Sequence, residues 1–161
     1  MTGTARLAIL VALACTSIPD VQGQAPQPLA IEFSFQTESF AAATEDYRAI
    51  WSAEGGRIVT AMERATGLRF ERGPIRALVY EGVSYSGYGS APMRLRASYP
   101  LATKRATLVH ELGHRLLGHS LLGDPRRTDH HPILFLFLYD VWVELWGKEF
   151  ADEQVAVGSK R

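Results

Sequence analysis

Hydrophobic and polar residues change rhythm several times along the chain, and each rhythm names an element. From Ala30 to Gln36, Ile31, Phe33 and Phe35 alternate with Glu32 and Ser34, the two-residue period of a half-buried strand. Between about residues 40 and 66, Tyr47, Trp51, Ile58, Met62 and Ala65 recur at helical spacing, and Gly67 stands where a helix would stop. Gly55-Gly56 weaken the middle of that stretch, which leaves one long helix or two meeting at a kink. Leu68 to Glu71 is compatible with a short strand, residues 72–74 with a turn, and Ile75 to Tyr80 with a strand apolar on both faces. A glycine- and hydroxyl-rich run, 81–90, precedes Ala91 to Tyr99, where Met93, Leu95 and Ala97 alternate with Arg94, Arg96 and Ser98. That second alternation predicts a strand with one wet face, and as an edge strand it would offer its main chain to an extended peptide.

The C-terminal half reads as two helices. Leu108, Leu112 and Leu116 form a four-residue ladder that buries one face of the first, with Gly118 as its stop. After a loop from Leu121 to His131, Pro132 opens a second helix over Ile133 to Asp152, apolar nearly all round as far as Trp146 and therefore expected to be buried. The whole is an α+β domain: a short mixed or antiparallel sheet on a backing helix and a motif helix, followed by a C-terminal helix.

The first of those two helices carries His110-Glu111-Leu-Gly-His114. Residues four apart on a helix lie one above the other, so His110 and His114 can grip one metal ion together. Glu111 stands one step round, where its carboxylate can take a proton from a metal-activated water as general base. Gly113 costs the helix about 1 kcal/mol against alanine, a loss that makes sense if another part of the chain must pass close by.

Two acids, Asp140 and Glu144, lie four apart inside the apolar run of the second helix. Unpaired buried carboxylates are costly, so a divalent metal shared with His110 and His114 is the expected partner, with an ion pair to an arginine such as Arg115 as the plain alternative. His119, His130, His131, Tyr85 and Tyr88 are candidate donors to a tetrahedral oxyanion, each with an ordinary structural role as its alternative.

With 161 residues, 47% hydrophobic content and equal numbers of acidic and basic side chains, the chain suits one domain with a real core and lacks the basic footprint of a nucleic-acid binder. Arg6, the apolar run Leu7 to Cys15 and Val21-Gln22-Gly23 have the order of a secretory signal, which sets a leader at 1–23 and a mature domain at 24–161. The run is too short to span a membrane. The expected location is outside the cytoplasm, secreted or periplasmic, with lipid anchoring through Cys15 as a lesser option. Cys15 is the only cysteine, so the mature chain has no disulfide and no thiol ligand.

His110-Glu111-Leu-Gly-His114 with a later acidic residue resembles the zincin metallopeptidases, of the compact kind in which a downstream carboxylate is the third zinc ligand. The metzincin branch fits less well, because the positions of its glycine and third histidine hold Leu117 and Ser120, and His119 is one residue short. Asp140 with Glu144 has the spacing of ligand and neighbouring acid in gluzincins resembling thermolysin. Glu144 followed by Gly147 and Phe150-Ala151 is similar to the ImmA/IrrE-like peptidases. The resemblance implies a secreted zinc peptidase acting on peptides or proteins, with Glu111 as base and His110, His114 and one of Asp140 or Glu144 on Zn2+. A zincin fold that binds zinc but only docks other proteins is the competing expectation.

Overall fold

A computed structural model describes residues 29–158, so the expected leader lies outside the described residues. Three strands and four α-helices follow one another as β1 (Ile31–Phe35), α1 (Ala41–Thr66), β2 (Ile75–Tyr80), β3 (Met93–Arg96), α2 (Leu101–Leu117), α3 (His131–Trp146) and α4 (Lys148–Gly158). None of these helices is long and apolar enough to cross a membrane.

The sheet has the order β1-β2-β3 and is parallel throughout, with Phe33 opposite Ala77 and Val79 opposite Leu95. This corrects the expectation of a mixed or antiparallel sheet. Parallel neighbours need a crossover. Helix α1 supplies the first, and the glycine-rich run supplies the second without a helix. That run folds back along the far side of β3, where Tyr85 forms an antiparallel bridge with Arg94 through both main-chain hydrogen bonds. The outer edge of β3 is therefore already paired there, and residues 83–86 of the run line the adjacent cavity.

Helix α1 runs unbroken through Gly55-Gly56 and ends at Gly67, whose φ of 71° is the left-handed stop. Trp51 packs over Gly55 so closely that an added Cβ would meet its ring at 2.8 Å. Leu68 to Glu71 forms no strand. Burial on α1 falls on Tyr47, Ile50, Ile58, Ala61 and Met62, which join Val79, Met93 and Leu95 of the sheet and the Leu108, Leu112 and Leu116 ladder of α2 in one core. Each of those three leucines is fully buried, worth about 2 to 3 kcal/mol apiece as area removed from water.

The helix expected over Ile133 to Asp152 is two. Gly147 at φ 89° separates α3 from α4, and α4 lies back against α3 with the Tyr139 hydroxyl donating to Asp152 at 2.8 Å. Helix α3 is also less buried than its composition suggests. Leu134, Phe137, Leu138, Val141, Trp142 and Leu145 face inward, while Ile133, Phe135 and Leu136 are exposed, Leu136 to 78%.

Candidate metal centre

Helix α2 delivers three of the side chains that matter. Its leucine ladder pins one face to the core, so the opposite phase carries His110, Glu111 and His114 to the wall of a cavity of about 820 Å³. The His110 Nε2 and His114 Nε2 atoms are 3.2 Å apart. Two nitrogens bound to one tetrahedral zinc at about 2.0–2.1 Å would themselves stand about 3.3 Å apart. The pair is thus spaced as ligands of one ion are spaced.

The third member comes from the start of α3. Gly113 makes the approach possible: a Cβ there would lie 2.3 Å from Leu134 Cδ1, so α3 can sit this close only against a residue with no side chain. One turn before Leu134, His131 brings its ring to 4.8 Å from that of His114 and 5.6 Å from that of His110, centroid to centroid. One ring nitrogen from each of His110, His114 and His131 lies within 4.8 Å of the other two, so the three could hold a metal ion.

Asp129 orients the third histidine. Its Oδ1 accepts from the His131 backbone N–H at 3.0 Å and lies 2.8 Å from His131 Nδ1. These hydrogen bonds hold the Asp129 carboxyl below its usual range. A ring that donates from Nδ1 keeps Nε2 as a free lone pair, the arrangement typical of a metal-binding histidine with its outer carboxylate.

Burial sets the protonation of the rest. It pushes His110 down to about 4, with the neighbouring His131 adding to the shift, and His114 down to about 3, with His110 next in effect. Both are neutral near pH 7 and able to offer a lone pair. Burial pushes Glu111 the other way, up to about 8. A cation held by the histidines would stabilise its charge and return Glu111 to its ionised form. The Nδ1 of His114 is buried without a hydrogen-bond partner among the described residues, and so are both ring nitrogens of His130, whose ring lies 5.5 Å from that of His114. A cluster of closely spaced imidazole nitrogens is chemistry that suits a borderline metal such as zinc.

The structure does not bring the acids to this cluster. Asp140 is exposed, and Glu144 is paired with Arg64 in a largely solvated ion pair. Neither belongs to the three-histidine group that could hold a metal ion, so the structure does not bring the expected third ligand, Asp140 or Glu144, to His110 and His114. The reason is helical phase. Asp140 and Glu144 continue the outward stripe of Ile133 and Leu136, about 100° or more away from the face that lines the cavity with His131, Phe135, Leu138 and Trp142. Arg115 is not their partner either. It donates to the carbonyls of Ser86 at 2.7 Å and Gly89 at 2.8 Å, tying the glycine-rich run to α2.

His119 turns away from the cluster in the π-helical turn that follows α2, and lies 3.4 Å from Glu71. Tyr88 lines a separate, smaller cavity, whereas Tyr85 lines the large one. His131 was legible only as one of several loop histidines. The signals that mark it are Asp129 two residues earlier, able to bond both its backbone and its ring, and Pro132, which opens a helix and so fixes where the ring points.

The described residues thus define an α+β domain with a three-histidine group and a buried carboxyl on one cavity wall. No protein-family model matches the chain, and no curated protein or solved structure shows significant similarity to it.

Proposed function

We propose that this protein is a zinc-dependent peptidase of zincin type, with His110, His114 and His131 as metal ligands and Glu111 as general base. The observation that carries this reading is the convergence of α2 and the start of α3 on one cavity wall, where three imidazoles stand beside one buried carboxyl. Three histidines leave one tetrahedral position open, which is the mark of a catalytic rather than a structural site. Zinc in that place supplies a Lewis acid that polarises a carbonyl and acidifies water.

The protein's own groups do the rest. Glu111 removes a proton from the attacking water and returns it to the leaving amine, a task that needs its carboxyl ionised, as it would be beside a cation held by the histidines. Asp129 holds His131 in one tautomer. Tyr85 lines the cavity and is the candidate to donate to an oxyanion. The run 83–86 offers a main-chain wall along which an extended substrate can lie.

Purified protein loaded with zinc should cleave members of a mixed peptide library. Glu111→Gln should keep zinc and lose activity by 10²-fold or more. A Glu111→Gln protein that cleaves as fast as the unchanged protein contradicts the role of Glu111. Bound zinc with no cleavage of any peptide would favour the competing reading, a zinc-binding module that docks other proteins.

A further inference from the structure

The large cavity extends well beyond the three histidines. Helices α2 and α3 run past each other in opposite directions, because Gly113 meets Leu134 while Ala106 and Thr103, earlier on α2, line the same space as Leu138 and Trp142, later on α3. From His114 back to Thr103 is three turns of α2, about 16 Å. Helix α4 closes this part of the cavity with Gln154 and Val157. A volume of about 820 Å³ lies in the range of sites that enclose most of a small ligand, and the walls away from the histidines are mainly aliphatic and aromatic.

Among the polar groups of that lining, which include the hydroxyl side chains of Thr103, Thr107 and Tyr139, two from α3 and α4 stand out. Gln154 is 93% buried, its side chain lines the cavity, and its amide has no hydrogen-bond partner among the described residues. The Trp142 indole N–H, from a residue on the same wall, is buried and equally unpartnered. An occupant that displaces water from the Gln154 amide without bonding to it costs about 1 to 3 kcal/mol. A purely apolar occupant would leave that cost in place, and a charged one would pay to leave water. An aromatic ring with a hydrogen-bonding edge satisfies both the walls and the amide.

We infer that this cavity is a specificity pocket for an aromatic side chain bearing a polar edge, tyrosine above all, carried by a residue beside the hydrolysed bond, and that Gln154 reads the edge. The inference rests on the peptidase reading for the position of the bond, but the pocket itself can be tested without turnover. The geometry makes Gln154 a specificity residue: it touches the substrate's side chain and takes no part in proton transfer.

The test is protein-observed NMR titration of the metal-free protein with the N-acetyl amides of tyrosine, phenylalanine, alanine and lysine, beside a Gln154→Leu variant. The unchanged protein should bind the two aromatic amides at least tenfold more tightly than those of alanine and lysine, and tyrosine at least threefold more tightly than phenylalanine. Gln154→Leu, close in volume, should abolish the preference for tyrosine while phenylalanine binds as well as before or better; that retained binding also shows the variant to be folded. Equal affinity for all four amides, or a tyrosine-to-phenylalanine ratio unchanged by Gln154→Leu, overturns the inference. If the binding order holds and the zinc-loaded protein hydrolyses no peptide, the pocket stands and the peptidase reading falls. Hydrolysis that shows no preference for tyrosine, with no preference in binding, removes the pocket and leaves the peptidase.

Discussion

Helices α2 and α3 each carry a pair of ionisable residues four apart, and the fold puts the two pairs to opposite uses. On α2, His110 and His114 face a cavity, neutral and 3.2 Å apart at Nε2. On α3, Asp140 and Glu144 share a face just as surely, but it is the outer face, where Asp140 is exposed and Glu144 pairs with Arg64. Spacing of four residues establishes that two side chains lie together and says nothing of what they lie against. The rest of the helix decides that. The leucine ladder on α2 leaves one direction for its histidines, whereas α3 has enough apolar residues to bury one stripe and still show Ile133 and Leu136 to solvent.

The contrast can be sharpened first at Asp129, which stands behind His131. Asp129→Ala frees the ring from its carboxylate and should weaken zinc binding about 10- to 100-fold, measured by competition with a chelator of known affinity. Asp140→Ala in the same assay should leave affinity unchanged.

A second way to break the contrast is to push the two helices apart. Gly113→Ala places a methyl 2.3 Å from Leu134 Cδ1 in the starting geometry. Overpacking of this kind costs about 1 to 3 kcal/mol, read as a lower Tm, and it should weaken zinc binding as well because His131 moves with α3.

The smallest effect is in pH dependence. In the metal-free protein Glu111 keeps its proton to about 8, far above the ordinary 4.5, while His110 and His114 give theirs up only at about 4 and 3 instead of 6.5. From about 4.5 up to 8 the folded state binds more protons than the unfolded one through Glu111, so its contribution to stability falls as pH rises through that range. Below 6.5 the unfolded state binds more protons through the two histidines, so their contribution falls as pH drops. Glu111→Gln should remove the fall above 6.5, worth at most about 1.4 kcal/mol per pH unit, and steepen the fall below 6.5, where Glu111 opposes the two histidines. Thermal melts of both proteins between pH 5 and pH 8 in chelator check this.

Much of the architecture was legible because the signals were local. The β1 alternation, the stop at Gly67, the Met93-Leu95-Ala97 face and the leucine ladder each follow from periods of two or of about 3.6 residues, and all are present. Gly113 announced a close approach before the neighbour was known. What was not legible depends on partners distant in sequence. Parallel rather than antiparallel pairing of β2 with β3 hangs on a twelve-residue excursion that wraps the edge of β3, and the break at Gly147 turns one expected helix into two. The third histidine depends on where α3 begins relative to Gly113, which no local pattern encodes. The buried acids inferred from composition were never buried, because an apolar helix on the surface of a small domain has only one side against the core.

In the reading proposed above, three histidines, and no acid of α3, hold the metal. The most direct measurement is metal content by mass spectrometry on tag-free protein after incubation with zinc and desalting, for the unchanged chain, His131→Ala, Asp140→Ala and Glu144→Ala. The account predicts near-stoichiometric zinc in the unchanged protein and in both acid variants, and its loss in His131→Ala. Full zinc in His131→Ala with loss in Asp140→Ala or Glu144→Ala, or no zinc in the unchanged protein, would contradict it.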